Sequence, residues 1–198
     1  MPIAETELHY DSPFHLLIAV ILSAQCTDKR VNMTTPAIFE AYPDAGTLAN
    51  ASYEDLFQLV RSISYPNNKT RHLIGMAQKL VTDFGGIVPS GIDELMSLPG
   101  VGRKSANLIM GDVYGKPAIV TDTHCIRLVN RMGLVDGIKE PKKVEMELWK
   151  IIPPEEGSDF CHRLVYHGRA ICTARTKPYC NQCSLSDICP KNGVDVIK

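Results

Sequence analysis

The sequence predicts an all-α protein. Apolar residues recur at helical spacing through most of the chain, and strand-like alternation never persists. Pro, Gly, Asn and Asp separate the successive helical runs. At 198 residues and 44% hydrophobic content, the chain can bury an ordinary core as one large domain or two small ones. No internal repeat and no low-complexity segment breaks the pattern.

The first helix is "SPFHLLIAVILSAQ", with Ser12 placed as an N-cap and Pro13 at the first helical position. It is apolar almost all round, which predicts a helix at the centre of a bundle. Next come "DKRVNMTTPAIFEAY", "SYEDLFQLVRSI", "NKTRHLIGMAQKLVTDFG" and "GIDELMSLPG". In the third of these, Leu73, Ile74, Met76, Ala77, Leu80 and Val81 form an amphipathic stripe, and Gly85 stands at a C-cap position. "KSANLIMGDVY", "TDTHCIRLVNRMG" and "KKVEMELWKIIP" continue the pattern before a loop-rich, cysteine-bearing end.

The apolar run "FHLLIAVILSA" falls well short of the roughly 20 residues that cross a bilayer. Glu5, Glu7 and Asp11 precede it without a lysine or arginine, the opposite of a signal peptide's basic start. A cytoplasmic protein is expected, nucleoid-associated if bacterial, with no membrane partner.

A net charge of −1 hides an asymmetry. Residues 1–60 carry 2 basic and 8 acidic side chains, whereas 96–131 carry 5 and 2 and 161–198 carry 6 and 2. Two basic zones on a neutral chain suit a local anionic partner such as nucleic acid, although solvated faces of differing charge give the same counts.

Of seven cysteines, Cys26, Cys125 and Cys161 lie within helical patterns and read as small buried residues. The other four form "CTARTKPYCNQCSLSDIC", a C-x7-C-x2-C-x5-C run at Cys172, Cys180, Cys183 and Cys189. So short and polar a segment cannot build its own core, so a metal centre is expected to order it. Four thiolates accept either zinc or an iron–sulfur cluster, and the ligand set alone does not choose.

"LPGVGRKSAN" resembles a nucleotide-binding P-loop but lacks the glycine before Lys-Ser, and a helix rather than a strand precedes it. Gly100 and Gly102 fit either a plain helix–turn–helix corner or a hairpin whose backbone approaches a phosphate. Lys104 by itself reads as solvated or phosphate-binding. Asp122 reads as the N-cap of the helix after it, and His124 as a packed structural histidine.

Taken in order, "LSAQCTD", "LPGVGRKSAN", "TDTH", "YHGRAIC" and the four-cysteine loop resemble the endonuclease III family of DNA glycosylases, in the helix–hairpin–helix superfamily. The resemblance runs from about Glu7 to the C-terminus. It implies a two-domain helical fold, with a six-helix domain over 6–116 and a cluster domain over 117–198 plus residues 1–5. It also implies a bifunctional glycosylase and AP lyase that excises oxidised pyrimidines, acting as a monomer on double-stranded DNA with damaged bases or abasic sites. A [4Fe–4S] cluster is implied on Cys172, Cys180, Cys183 and Cys189. The sequence departs from the family twice: the first cysteine gap is seven residues rather than the usual six, and the family's extra N-terminal helix has no counterpart.

The resemblance makes Lys104 the nucleophile. A free lysine titrates near about 10.4, so a partly dry pocket, the helix N-terminus and Arg103 are expected to release the amine. Asp122 is to offset the positive charge that grows on the sugar as the base leaves. Because a stacked base is unreachable, Gln25 and Tyr65 are implied as side chains that fill the gap left by flipping. Tyr65 stands where the family often has leucine. Arg169, Arg175 and Lys177 are candidate phosphate contacts. A non-catalytic module with structural zinc and an adenine-mismatch glycosylase are the competing readings, the latter lacking a lysine at the position of Lys104.

Overall fold

The structure is a computed structural model that describes residues 5–194. It divides into two compact units, Glu7–Tyr114 and Met1–Thr6 with Gly115–Lys198; residues 1–4 and 195–198 of the expected second domain lie outside the described residues. No strand occurs among the described residues, so the fold is all-α.

In the first unit, α1 spans Pro13–Ser23 and begins where Ser12 Oγ accepts from His15 N. Leu16, Leu17, Ile18, Ala19 and Leu22 are wholly buried, each such side chain larger than alanine contributing about 1.5–3 kcal/mol relative to exposure. This is the central helix that the all-round apolar pattern predicts. It packs against α2 (Asp28–Ala41), α5 (Pro66–Phe84) and α7 (Arg103–Tyr114). Three shorter helices, α3 (Ala45–Ala49), α4 (Tyr53–Val60) and α6 (Ile92–Met96), complete the unit.

The stripe on α5 buries Leu73, Met76, Ala77 and Leu80, while Val81 faces solvent. Gly85 ends the helix in the left-handed region as a C-cap. Short α3 has a capping box between Asp44 and Thr47, a local signal at too few residues to register as helical periodicity.

The second unit holds α8 (Thr123–Arg131), α9 (Pro141–Leu148) and α10 (Gly157–Ala170), followed by the cysteine loop. α8 packs on α10. Close approach excludes side chains at two points of α10: a Cβ on Gly168 would lie 2.6 Å from His124 Nδ1 on α8, and one on Gly157 would lie 2.5 Å from Ala118 O in the segment before α8. Tyr166 Oη donates to Glu5 O at 3.2 Å, which attaches the start of the described chain to α10.

Candidate active site

The glycine hairpin is residues 98–102, between α6 and α7. Val101 N donates to Leu98 O at 3.1 Å, and Ala106 N to Gly102 O at 2.9 Å begins the α7 ladder. Gly100 has φ +82, and a Cβ there would meet His72 Cβ at 2.9 Å. Only glycine satisfies both conditions. A Cβ on Gly102, by contrast, would meet nothing within 4 Å. The N–H groups of residues 102–105 precede the first rung and face the positive end of the helix, where an anion is favoured.

Lys104 is the second residue of α7 and is exposed; Arg103 is half-buried. The dry pocket expected for Lys104 is therefore not supplied by the protein's own side chains. Asn107, one turn further on, is buried.

Gln25 and Tyr65 share an unusual backbone. Each has φ +55, and among the described residues Lys191 is the only other non-glycine with positive φ. The left-handed region costs an L-residue roughly 1–2 kcal/mol, and such costs collect at functional sites. Both side chains are exposed, Tyr65 by 61%. Ser64 Oγ donates to Gln25 O at 2.7 Å, joining the two turns. Beneath them Lys69 is buried, and its Nζ donates to Leu22 O and Ala24 O, both at 2.7 Å. Burial lowers the Lys69 pKa, and the nearby Cys26 thiol opposes that shift.

In the second unit, Asp122 caps α8: its Oδ1 accepts from Cys125 N at 2.7 Å. Its side chain is half-buried. Cys125 and Cys161 are buried, and the hydrogen bond to Cys161, with burial behind it, pushes the Cys125 thiol pKa far up. Cys26 is only half-buried. His124 packs half-buried, its Nδ1 3.2 Å from Arg127 Nη2. Arg127 also donates to Gly168 O at 3.1 Å and Cys172 O at 3.0 Å. Burial lowers the Arg127 pKa, Arg131 lowers it further, and Cys172 and Asp122 oppose the shift.

Cys172, Cys180, Cys183 and Cys189 line one cavity with Arg131 and His167. As placed, no three His, Cys, Asp or Glu side chains among the described residues converge on a single ion. The donor set nevertheless suits a thiolate-bound cluster, because fixed N–H groups already point at sulfur. Arg131 Nη1 is 3.2 Å from Cys172 Sγ, and Leu185 N is 3.4 Å from Cys183 Sγ. The seven-residue gap folds back locally, with Tyr179 N bonding Ile171 O at 3.0 Å and Thr173 Oγ1 donating to Thr176 O at 3.0 Å. Arg169, Arg175 and Lys177 are exposed around this loop.

A family profile described as "HhH-GPD superfamily base excision DNA repair protein" matches residues 18–154. The chain is 44% identical over 190 residues to endonuclease III of Synechocystis sp., covering 96% of this chain and 86% of that protein. The chain belongs to the endonuclease III family. It is a DNA glycosylase and AP lyase of base excision repair. Endonuclease III of Escherichia coli strain K12 is 38% identical over 196 residues, covering 98% of this chain and 92% of that one. A solved non-covalent endonuclease III–DNA complex aligns at TM-score 0.92 with 42% identity, covering 100% of this chain and 92% of that one. A trapped endonuclease III–DNA covalent intermediate, an estranged-adenine complex, aligns at 0.90 with 43% identity, covering 96% and 89%.

Ser64, Lys69 and Arg131 belong to no motif in the sequence. A buried lysine or arginine on an amphipathic helix has no period of its own, and only its acceptors reveal it. For Lys69 the available signal was its place at the fourth position of a proline-started helix, which is not distinctive.

Proposed function

We propose that the enzyme excises oxidised pyrimidines from double-stranded DNA and nicks the strand through a Schiff base at Lys104, with Asp122 offsetting charge on the same sugar. The observation that carries this reading is the position of Lys104, exposed at the start of α7 directly behind a hairpin that requires glycine at 100. A relative 43% identical to this chain has been trapped as a covalent intermediate with DNA. A covalent route in this chain needs a nucleophile of its own.

Neutral Lys104 Nζ attacks the sugar C1′; the bond from C1′ to the base breaks, and the base departs with its electron pair and takes up a proton. The nitrogen then loses a proton and the sugar ring opens, leaving an iminium between Nζ and C1′. Loss of a C2′ proton drives cleavage of the C3′–O bond, and the 3′ phosphate leaves. Water hydrolyses the imine and frees the lysine. Asp122 supports the first step by its negative charge, and the substrate itself supplies the drying that exposed Lys104 lacks. Its Oδ1 is held by Cys125 N, and its other oxygen has no partner among the described residues.

Grip is assigned to the hairpin, where Gly100 and Gly102 let α7 bring its N–H groups to a backbone phosphate, a contact blind to sequence. Arg103, Arg169, Arg175 and Lys177 add phosphate contacts. Gln25 and Tyr65 fill the space vacated by the flipped base. Cys172, Cys180, Cys183 and Cys189 hold a [4Fe–4S] cluster that orders residues 172–189. The enzyme is assigned as a cytoplasmic monomer.

Borohydride trapping on a duplex containing thymine glycol tests the reading. The wild-type protein is expected to become covalently attached to the DNA, and Lys104→Gln to give no adduct. A wild-type trapping rate in Lys104→Gln would reduce this lysine to a phosphate contact.

A further inference from the structure

Two side chains on separate elements can enter one gap in a duplex only if their separation is set beforehand. Gln25 follows the end of α1, and Tyr65 precedes α5. Both are exposed, and both stand on left-handed backbone that an L-residue rarely adopts unless its surroundings hold it there. The question is what holds them.

The groups around them converge on one side chain. Lys69 is 5% exposed. Its Nζ donates to Leu22 O and Ala24 O at 2.7 Å each, and to Ser64 Oγ at 3.4 Å. Its own backbone N donates to Tyr65 O at 3.1 Å. Ser64 Oγ in turn donates to Gln25 O at 2.7 Å. The bond to Tyr65 O is the first main-chain rung of α5 and would form with any residue at 69; the ammonium itself bonds the end of α1 directly and reaches the Tyr65 turn through the Ser64 hydroxyl, which also holds Gln25 O. The three ammonium protons point to acceptors on both turns, a geometry that a two-coordinate or apolar side chain cannot reproduce.

No carboxylate joins Lys69 among the described residues. A buried ammonium answered only by neutral groups is a costly way to close a helix end. Ala24 is exposed, and water could satisfy its carbonyl without any lysine. What water could not do is tie that carbonyl to the turn carrying Tyr65.

We propose that Lys69 is a positioning residue that locks the Gln25 and Tyr65 turns into one preformed wedge, so that base flipping depends on it while the bond-breaking chemistry does not. This rests on the assignment of Gln25 and Tyr65 as the gap-filling side chains.

Two substrates separate the steps. Single-turnover excision from a thymine-glycol duplex requires flipping; borohydride trapping on a single-stranded oligonucleotide with an abasic site does not. Lys69→Met is expected to slow the first by about tenfold or more, since the buried Leu22 carbonyl loses its donor and the tie from the end of α1 to Ser64 is cut, and to leave the second near wild type. Ser64→Ala, which removes one hydroxyl and no core volume, should show the same selectivity at about threefold. It also keeps the proposal testable should Lys69→Met not fold. Joined to Tyr65→Ala, Ser64→Ala should add no further loss, because both act on one unit.

Gln25→Ala and Tyr65→Ala run alongside. If they lose duplex excision selectively while Lys69→Met and Ser64→Ala do not, the wedge stands and the lock is wrong. If Gln25→Ala and Tyr65→Ala themselves spare duplex excision, the wedge assignment falls and takes the lock with it. Equal losses on both substrates for folded Lys69→Met or for Ser64→Ala would show a merely structural role and overturn the proposal.

Discussion

Asp122 Oδ1 accepts the Cys125 amide at 2.7 Å, so the carboxylate assigned to charge stabilisation also starts α8. The two duties respond differently to substitution. Asparagine caps a helix about as well as aspartate but carries no charge. Asp122→Asn is therefore expected to retain the melting temperature while excision of thymine glycol falls by on the order of a hundredfold or more. Asp122→Ala should lose the same activity and about 1 kcal/mol of stability besides. Single-turnover rates and thermal melts of the two variants check this. Comparable melting temperatures for the two would remove the capping role.

Lys104 contributes nothing to a core, because it is exposed on the first turn of α7. Lys104→Gln should accordingly fold like the parent, with stability changed by no more than about 0.5 kcal/mol. The borohydride adduct should vanish while binding to an undamaged duplex persists. Electrophoretic mobility shifts beside the trapping gel make the comparison, and a joint loss of binding and adduct would point to phosphate contact instead.

The two hairpin glycines look alike in the sequence and differ in the structure. Gly100→Ala meets positive φ and the His72 side chain at 2.9 Å together, and backbone strain alone should cost about 1–2 kcal/mol. Gly102→Ala has open space around it and no positive φ. It should leave the melting temperature intact and weaken DNA binding, because the added methyl stands where a phosphate approaches. A Gly102→Ala protein with unchanged affinity would place the phosphate elsewhere.

The fold was largely legible because its signals are local. Ser12, Pro13 and the run from Phe14 to Leu22 announce α1 together, and Gly85 stops α5 in the left-handed region where only glycine is at ease. Val81 fits the α5 stripe in the sequence yet faces solvent, since nothing in the first unit covers that edge of the helix. α10 is poorly announced by its ends: no side chain caps its first turn, and Gly157 and Gly168, required by close packing, stand in its first and last turns. Motifs nominate Lys104, Asp122 and the four cysteines as site candidates, and their roles remain the proposal made above. The groups that fix geometry, Ser64, Lys69 and Arg131, act through carbonyls and sulfurs far along the chain, and no spacing rule encodes such partners.

Arg131 supplies the last expectation. Buried on α8, it reaches the cysteine loop from both sides. Its Nη1 donates to Thr173 O at 2.8 Å and lies 3.2 Å from Cys172 Sγ; its carbonyl accepts from Asn192 N at 3.0 Å and lies 3.6 Å from Cys189 Sγ. The guanidinium thus clamps the first of the four sulfurs, a contact that survives when Cys172 is a thiolate, whereas the carbonyl finds a donor in Cys189 only while that thiol keeps its proton. With a cluster bound, donors to its sulfurs offset the negative charge of four thiolates. Arg131→Met keeps most of the volume but leaves Thr173 O without its donor and removes the N–H aimed at sulfur. Loss of this half-buried hydrogen bond should destabilise the second unit by about 1 kcal/mol. Anaerobically purified parent protein should be brown and contain iron and sulfide in equal amounts. Arg131→Met should start with the same ratio and bleach faster in air, iron and sulfide declining together. Stoichiometric zinc in a colourless parent would overturn the cluster assignment. Equal bleaching rates would leave the cluster in place and remove Arg131 as its clamp.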